Sequence, residues 1–289
     1  MRAATAAMSL LIIVGIAAVS AGNRSPSIAA TPPESLTINC RSPGLGGTLP
    51  AVVYLPAGYR NGTARFPVIY FLHGLPAGPT AYKYAAFVAR SVAAGENRAI
   101  VVAPQGARNA NSDREYLNWG PRENWPAAVS GDLPRCIDKR FRTLANRRGR
   151  TLVGLSAGGF GAFNIGLRHL ETFAAVESWS GYFAATDPTG LRTLDLGSEE
   201  ANHDAQVPRE DRLDANLEMR PTFIGFYVGQ QDSRFLNANI RLDRAFSANH
   251  IAHSFEIYQG GHAESLWRKW APLWLRLALE HLSRPRHVR

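Results

Sequence analysis

Cysteine is nearly absent from this chain: Cys40 and Cys136 are the only two in 289 residues. Two thiols cannot complete a structural zinc site, which takes four ligands. No His-Glu-x-x-His or comparable spacing supplies the others, so we expect no metal and no cofactor. The pair leaves two states open, one disulfide in an oxidising compartment or two buried free thiols. Nothing in the spacing brings them together, and free thiols are the expectation we carry forward. Acidic residues are also scarce, 23 against 32 Lys and Arg, for a net charge of +9. Such an excess favours anionic surfaces: wall polymers, lipid headgroups or nucleic acid. The basic residues between Lys139 and Arg150 have no interleaved aromatics and no nucleic-acid motif. We read them as a solvated helix end and loop. Nucleic acid is not an expected partner, whereas an anionic cell-wall or membrane surface stays open.

Long apolar runs are rare as well. A bilayer span takes about 20 apolar residues, and no segment beyond the first twenty offers that. The run Met8–Val19 is short, follows Met1-Arg2 and precedes the small residues Ser20-Ala21. That is the pattern of an export signal over residues 1–21, with an uncleaved anchor as the alternative. No cysteine follows it, so a lipid anchor is not expected. Residues 22–37, rich in Ser, Pro and Ala, read as a flexible lead-in. Residues 38–283 read as one domain, and 284–289 as a frayed basic tail.

Strand-like runs are Ala51–Leu55, Val68–Leu72, Ala99–Ala103, Thr151–Leu155, Ala174–Trp179, Thr222–Val228 and Ser254–Tyr258. Several are dense in Val, Ile, Phe and Tyr without polar alternation, as strands covered on both faces should be. Helical patterns fall between them, near 80–94, 128–143, 159–169, 235–249 and 264–282. This succession predicts an α/β fold with a mostly parallel sheet and helices on both faces. The first two runs, joined by a Gly/Pro/Asn-rich loop, suggest an antiparallel opening hairpin. Residues 104–127 read as a long loop over a sheet edge, and 183–220 as an insertion.

Gly154-Leu155-Ser156-Ala157-Gly158 lies between a strand-like run and a helical one. A nucleophile elbow needs that context, with small residues two before and two after a strained serine. The alternative is a glycine-rich helix start packing on a sheet. No Lys-Ser/Thr follows the glycines, which excludes a phosphate-binding loop. A serine needs a base oriented by a carboxylate. His262 follows Ser254–Tyr258 and a Gln-Gly-Gly turn, so it sits at a strand's carboxyl end, where sheet enzymes gather their chemistry. His169 points away along the elbow helix, and His250 and His253 read as surface residues. Asp232 lies just past Phe226–Gly229 and is the candidate acid, or else a helix N-cap. Asp243 reads as a solvated helix face. Backbone amides of Ala157 and of Leu75, after His73-Gly74, would form the oxyanion hole. His73 reads as a structural hydrogen-bonder. Trp119, Trp125 and Tyr116 are candidate substrate-pocket residues, with core packing as the alternative for each.

Over residues 38–275 the chain resembles the esterase D and antigen 85 branch of the α/β-hydrolases, which includes feruloyl esterases. The resemblance rests on Tyr54-Leu55-Pro56, on Pro67 through Leu75, and on Asp132-Leu133-Pro134 through Arg150. It continues through Gly154–Gly159, Gly229-Gln230-Gln231-Asp232, and Gly260-Gly261-His262 with Trp267. It implies an α/β-hydrolase fold, a Ser156–His262–Asp232 triad and an oxyanion hole at Leu75 and Ala157. Mycolyl-transferring members resemble one another in an Arg soon after the Gly-Leu of the oxyanion loop, and in Ser-Trp after the histidine. Here Pro76-Ala77 and Ala263-Glu264 stand at those places. The export pattern argues against the cytosolic S-formylglutathione hydrolase role. The expectation is a secreted serine carboxylesterase acting on a small-molecule or envelope ester. Transfer of an acyl group to an envelope sugar, and a noncatalytic binding protein on the same scaffold, are the alternatives.

Overall fold

The computed structural model describes residues 33–95, 97–106, 115–186, 192–208 and 211–286. The expected export signal lies outside them. Eight strands form one sheet: β1 Glu34–Ser42, β2 Gly47–Leu55, β3 Val68–Leu72, β4 Ile100–Pro104, β5 Arg150–Leu155, β6 Ala175–Trp179, β7 Phe223–Gly229 and β8 Ser254–Tyr258. Their order is β1-β2-β4-β3-β5-β6-β7-β8. β1, β2 and β4 pair antiparallel, and every pairing from β4 through β8 is parallel. The described helices are α1 Ala86–Ala94, α2 Trp125–Ala127, α3 Leu133–Arg140, α4 Ala157–Gly166, α5 Glu199–Asp204, α6 Asp211–Met219, α7 Leu236–Ala248 and α8 Glu264–Glu280. One apolar cluster joins the sheet to α3, α4 and α7, and a second joins its other face to α1 and α8. No described helix is long and apolar enough to cross a membrane.

Several expectations give way here. The opening hairpin is β1–β2, joined at Ser42–Gly47; β3 pairs with β4 and β5 instead. β1 begins at Glu34, inside the stretch read as a lead-in. Its polar residues hide it, because an edge strand keeps one face in water. The cysteines are not free thiols. Cys40 on β1 and Cys136 on α3 form a disulfide across 96 residues of chain, with Cα atoms 5.7 Å apart.

The basic stretch and tail are also more engaged than a solvated surface. Arg150 pairs with Asp138 at 2.5 Å, Arg142 stacks on Tyr59, and Arg147 donates to the carbonyls of Leu170 and Pro221. Ser283 and Arg286 hydrogen-bond to Arg148 and Arg65, so the tail is held through 286. His253 is half-buried, stacked on Phe226, and faces Asp243 at 3.0 Å, so neither is a free surface group. The insertion at 183–220 carries α5 and α6.

An acid sits in the apolar run of β6. Glu177 is fully buried, with Trp179 Nε1 donating to it at 3.1 Å and the Tyr227 hydroxyl at 3.4 Å. Burial pushes its carboxyl well above the ordinary value of 4.5, because desolvation disfavours the charged form. Above about pH 4.5 the unfolded chain has shed this proton while the fold retains it. Stability therefore falls as pH rises from there towards the raised value. Glu177→Gln, which holds no proton to lose, is expected to flatten that slope in urea titrations across pH 5–8. An unchanged slope would remove Glu177 as its source.

Candidate active site

The carboxyl ends of β3, β5, β6, β7 and β8 open on one edge of the sheet, beside the place where the order reverses around β3 and β4. Such edges are where open α/β sheets build their sites. Between β5 and α4 only Ser156 remains. Its backbone lies at φ 54, ψ −121, strained for an L-residue and so held by its surroundings. Those surroundings leave no room for side chains two residues either way. A Cβ on Gly154 would meet the Gly158 carbonyl oxygen at 2.0 Å, and one on Gly158 the Leu72 oxygen at 2.0 Å.

Asp232 lies between β7 and α7 and is buried. Its Oδ1 accepts the backbone N–H groups of Arg234 (3.2 Å) and Phe235 (3.1 Å). Its Oδ2 stands 2.8 Å from His262 Nδ1. The two expectations for Asp232, turn cap and acid, thus fall to different oxygens of one carboxylate. His262 Nε2 is 3.0 Å from Ser156 Oγ. With a carboxylate at Nδ1, that nitrogen carries the proton and Nε2 is left to accept from the hydroxyl. Ser156, His262 and Asp232 are 106 and 30 residues apart in sequence but form one hydrogen-bonded line.

The loop after β3 packs against the elbow: a Cβ on Gly74 would lie 3.1 Å from Ser156 Cβ. Leu75 follows it, and Ala157 opens α4, where the first amides have no carbonyl partner within the helix. His73 holds this loop. Its Nε2 accepts from Gly106 N–H at 2.8 Å, and its Nδ1 lies 2.8 Å from the Gly74 carbonyl. Burial holds the ring below the usual imidazole range, and hence neutral. The Tyr116 hydroxyl donates to the His73 carbonyl at 2.8 Å.

The aromatic residues expected at a substrate pocket are placed differently. Tyr116 (0% exposed) and Trp125 (3%) are interior packing residues and present no open wall. Trp119 is half-buried, its indole N–H on the Glu115 carbonyl. Large rings contribute most when buried, and the stretch read as an edge loop is in part core.

Phe235, Ser180 and Tyr182, not singled out in the sequence, complete the surroundings together with Trp267. The His262 ring packs edge-to-face with Phe235 (5.2 Å) and Trp267 (5.1 Å). Trp267 Nε1 donates to the buried Ser180 Oγ at 3.0 Å. Tyr182 stacks on Phe160, leans on Phe235, and donates to Glu115 Oε1 at 2.5 Å. Burial, then the charge of Glu115, raises its phenol well above the ordinary range. The signal that could reveal them is position: Ser180 and Tyr182 closely follow β6, as Ser156 follows β5. Among the described residues no group of three or more His, Cys, Asp or Glu could hold a metal ion.

The Esterase family model, described as "Putative esterase", matches residues 42–272. An esterase of Mycobacterium tuberculosis is 34% identical over 132 residues, covering 45% of this chain and 28% of that protein. The MPT51/MPB51 antigen of the same species is 27% identical over 201 residues, 66% of this chain and 62% of that one. The chain thus spans less than two thirds of the length of either relative. Among solved structures, a ferulic acid esterase superposes with a TM-score of 0.69 at 23% identity, covering 86% of this chain and 99% of that one. A ferulic acid esterase of Anaeromyces mucronatus, in complex with ferulic acid, gives 0.64 at 17% identity over 90% and 96%. These likenesses carry the fold, which is the α/β-hydrolase fold. Matched over most of its length by the family model, the chain belongs to the Esterase family.

Proposed function

We propose that this protein is an exported serine carboxylesterase that cleaves carboxylic esters through an acyl-enzyme on Ser156. One observation carries the reading: the line Asp232–His262–Ser156, with contacts of 2.8 and 3.0 Å. In the first step His262 Nε2 takes the hydroxyl proton as Oγ attacks the ester carbonyl. Asp232 holds the ring and stabilises the imidazolium that forms. The tetrahedral oxyanion is received by the amides of Leu75 and Ala157, and the amino-terminal end of α4 adds a favourable partial charge. His262 then returns the proton to the leaving alcohol. Water repeats the sequence on the acyl-enzyme and frees the acid. The strained Ser156 backbone holds Oγ clear of its own strand, and the His73 clamp keeps the oxyanion loop in place.

Export is supported by the run Met8–Val19 with the small residues after it, and by the Cys40–Cys136 disulfide, a bond that persists in oxidising compartments. The proposed substrate is a small-molecule or envelope ester whose carbonyl reaches Ser156, itself 5% exposed. Purified protein is expected to hydrolyse nitrophenyl esters and to be labelled on Ser156 by a fluorophosphonate probe, read by peptide mass spectrometry. The rate profile from acetyl to palmitoyl esters, with methyl ferulate alongside, assigns the acyl class. If no ester turns over and Ser156 stays unlabelled, the hydrolase reading fails and a noncatalytic binding protein takes its place.

A further inference from the structure

Six arginines gather at the end of the sheet opposite Ser156. The parallel strands start there, and four are approached through arginine: Arg65 before β3, Arg98 before β4, Arg148 before β5 and Arg220 before β7. The last described segment brings two more. Arg286 and Arg65 exchange both backbone hydrogen bonds, at 2.8 and 3.1 Å, as an antiparallel pair. Ser283 N–H donates to the Arg148 carbonyl at 2.7 Å, which sets Arg284 beside Arg148. The Arg98 guanidinium lies over the Phe66 ring at 5.1 Å, next to Arg65. Burial, and then the charges of Arg148 and Arg220, pull Arg147 below its ordinary value. The crowding is therefore felt inside the fold.

Among the described residues, none of these six arginines is in an ion pair with a carboxylate. Paired residues in an antiparallel register project to the same side, and like charges there repel. The arrangement costs stability that a counter-anion returns. Two further observations select the anion. Met219, beside Arg220 at the end of α6, is 69% exposed, and an exposed thioether offers nothing to a hydrated polymer of sugars or phosphates. The chain also joins the sheet here. Glu34 opens β1 opposite Leu55, and the adjoining Tyr54 pairs with Val101 near the start of β4. Glu34 therefore lies at the same end of the sheet as the arginines.

We propose that this arginine face docks on the headgroup surface of an anionic bilayer, with lipid phosphates bridging the guanidinia and Met219 entering the headgroup layer. The geometry turns Ser156 away from that membrane. Resting on the hydrolase reading, this makes the substrate an ester presented from the far, aqueous side, not a lipid of the membrane it rests on.

The test is co-sedimentation of the full chain with vesicles of phosphatidylglycerol and phosphatidylcholine, against phosphatidylcholine alone, in 50 to 500 mM NaCl. Binding to the anionic vesicles alone, lost at high salt, is expected. Arg148→Gln/Arg284→Gln/Arg286→Gln should weaken it about 100-fold, at roughly fivefold per surface arginine. Met219→Ser should weaken it a few-fold. Those three residues are exposed, and the melting temperature of the variant checks that the fold is kept. Its turnover of a soluble nitrophenyl ester should match wild type. Binding that survives both the triple variant and 500 mM NaCl would overturn the proposal. So would heparin binding as tight as vesicle binding, with Met219→Ser altering neither. Vesicle binding without ester turnover would strike the hydrolase reading and leave the docking face standing.

Discussion

Ser156→Ala is expected to lower kcat/KM for a nitrophenyl ester by about 10⁴-fold or more, equivalent to about 5.5 kcal/mol of transition-state stabilisation. The side chain removed is small and only 5% exposed, and alanine keeps the Cβ that packs against Gly74, so the fold should be untouched. What disappears is the atom that forms the acyl-enzyme. Residual activity would come from the oxyanion amides and from binding alone. Because the three residues act as one device, His262→Ala should cost a similar factor, and the double variant little more than either single one. Asp232→Asn separates the two duties of that carboxylate. Its side-chain oxygen can still accept from Arg234 and Phe235, whose N–H groups Oδ1 now holds at 3.2 and 3.1 Å. Its amide, however, presents a donor to His262 Nδ1 and forces the wrong tautomer. We expect near-native melting with a loss of activity in the range of about 10⁴. Simple additivity of the Ser156 and His262 losses, measured by steady-state kinetics on the same ester, would argue against a shared mechanism.

Breaking the Cys40–Cys136 bond should destabilise the fold by about 2–5 kcal/mol, lowering Tm by roughly 10 °C. The bond closes 96 residues of chain, and closing so long a loop removes much entropy from the unfolded ensemble. It also ties an edge hairpin to the body of the protein. β1 has one neighbouring strand, β2, and further bonds tie this hairpin to the start of α3: Ser42 Oγ and the Gly44 N–H both donate to Asp132 Oδ2, at 2.8 and 3.0 Å. Cys40→Ala/Cys136→Ala should melt lower than wild type and no longer respond to dithiothreitol. Wild type in dithiothreitol should follow the variant. The elements that carry Ser156, Asp232 and His262 lie elsewhere in the sheet, so turnover at 25 °C should survive in both. If the reductant leaves the wild-type melting curve where it was, the bond contributes nothing.

Local chemistry makes the candidate site legible in the chain itself. The turn at Ser156 announces itself because only glycine fits two residues either side of a strained nucleophile. Asp232 and His262 stand out because each comes shortly after a strand-like run, β7 buried and β8 a partly exposed edge strand. Position relative to a strand end is a local property, and three such positions on parallel strands of one sheet must share one edge. The seven apolar runs become β2 to β8 for the same reason. β1 escapes notice because an edge strand with polar residues lacks that signature. A β2–β3 hairpin is the wrong expectation because adjacency in sequence stands in poorly for pairing when a later strand, β4, inserts between them.

The sequence by itself determined the alternation of strands and helices, the candidate nucleophile, and the order in which its partners follow, because periodicity and turn chemistry act over a few residues. Tertiary structure alone decided what depends on distant segments meeting. It joined Cys40 to Cys136, sank Glu177 and Tyr116 into the core, gave the two oxygens of Asp232 separate tasks, and set Arg65 against Arg286. Those outcomes follow from which surfaces are buried together, and burial is a property of the assembled sheet that no short window of residues contains.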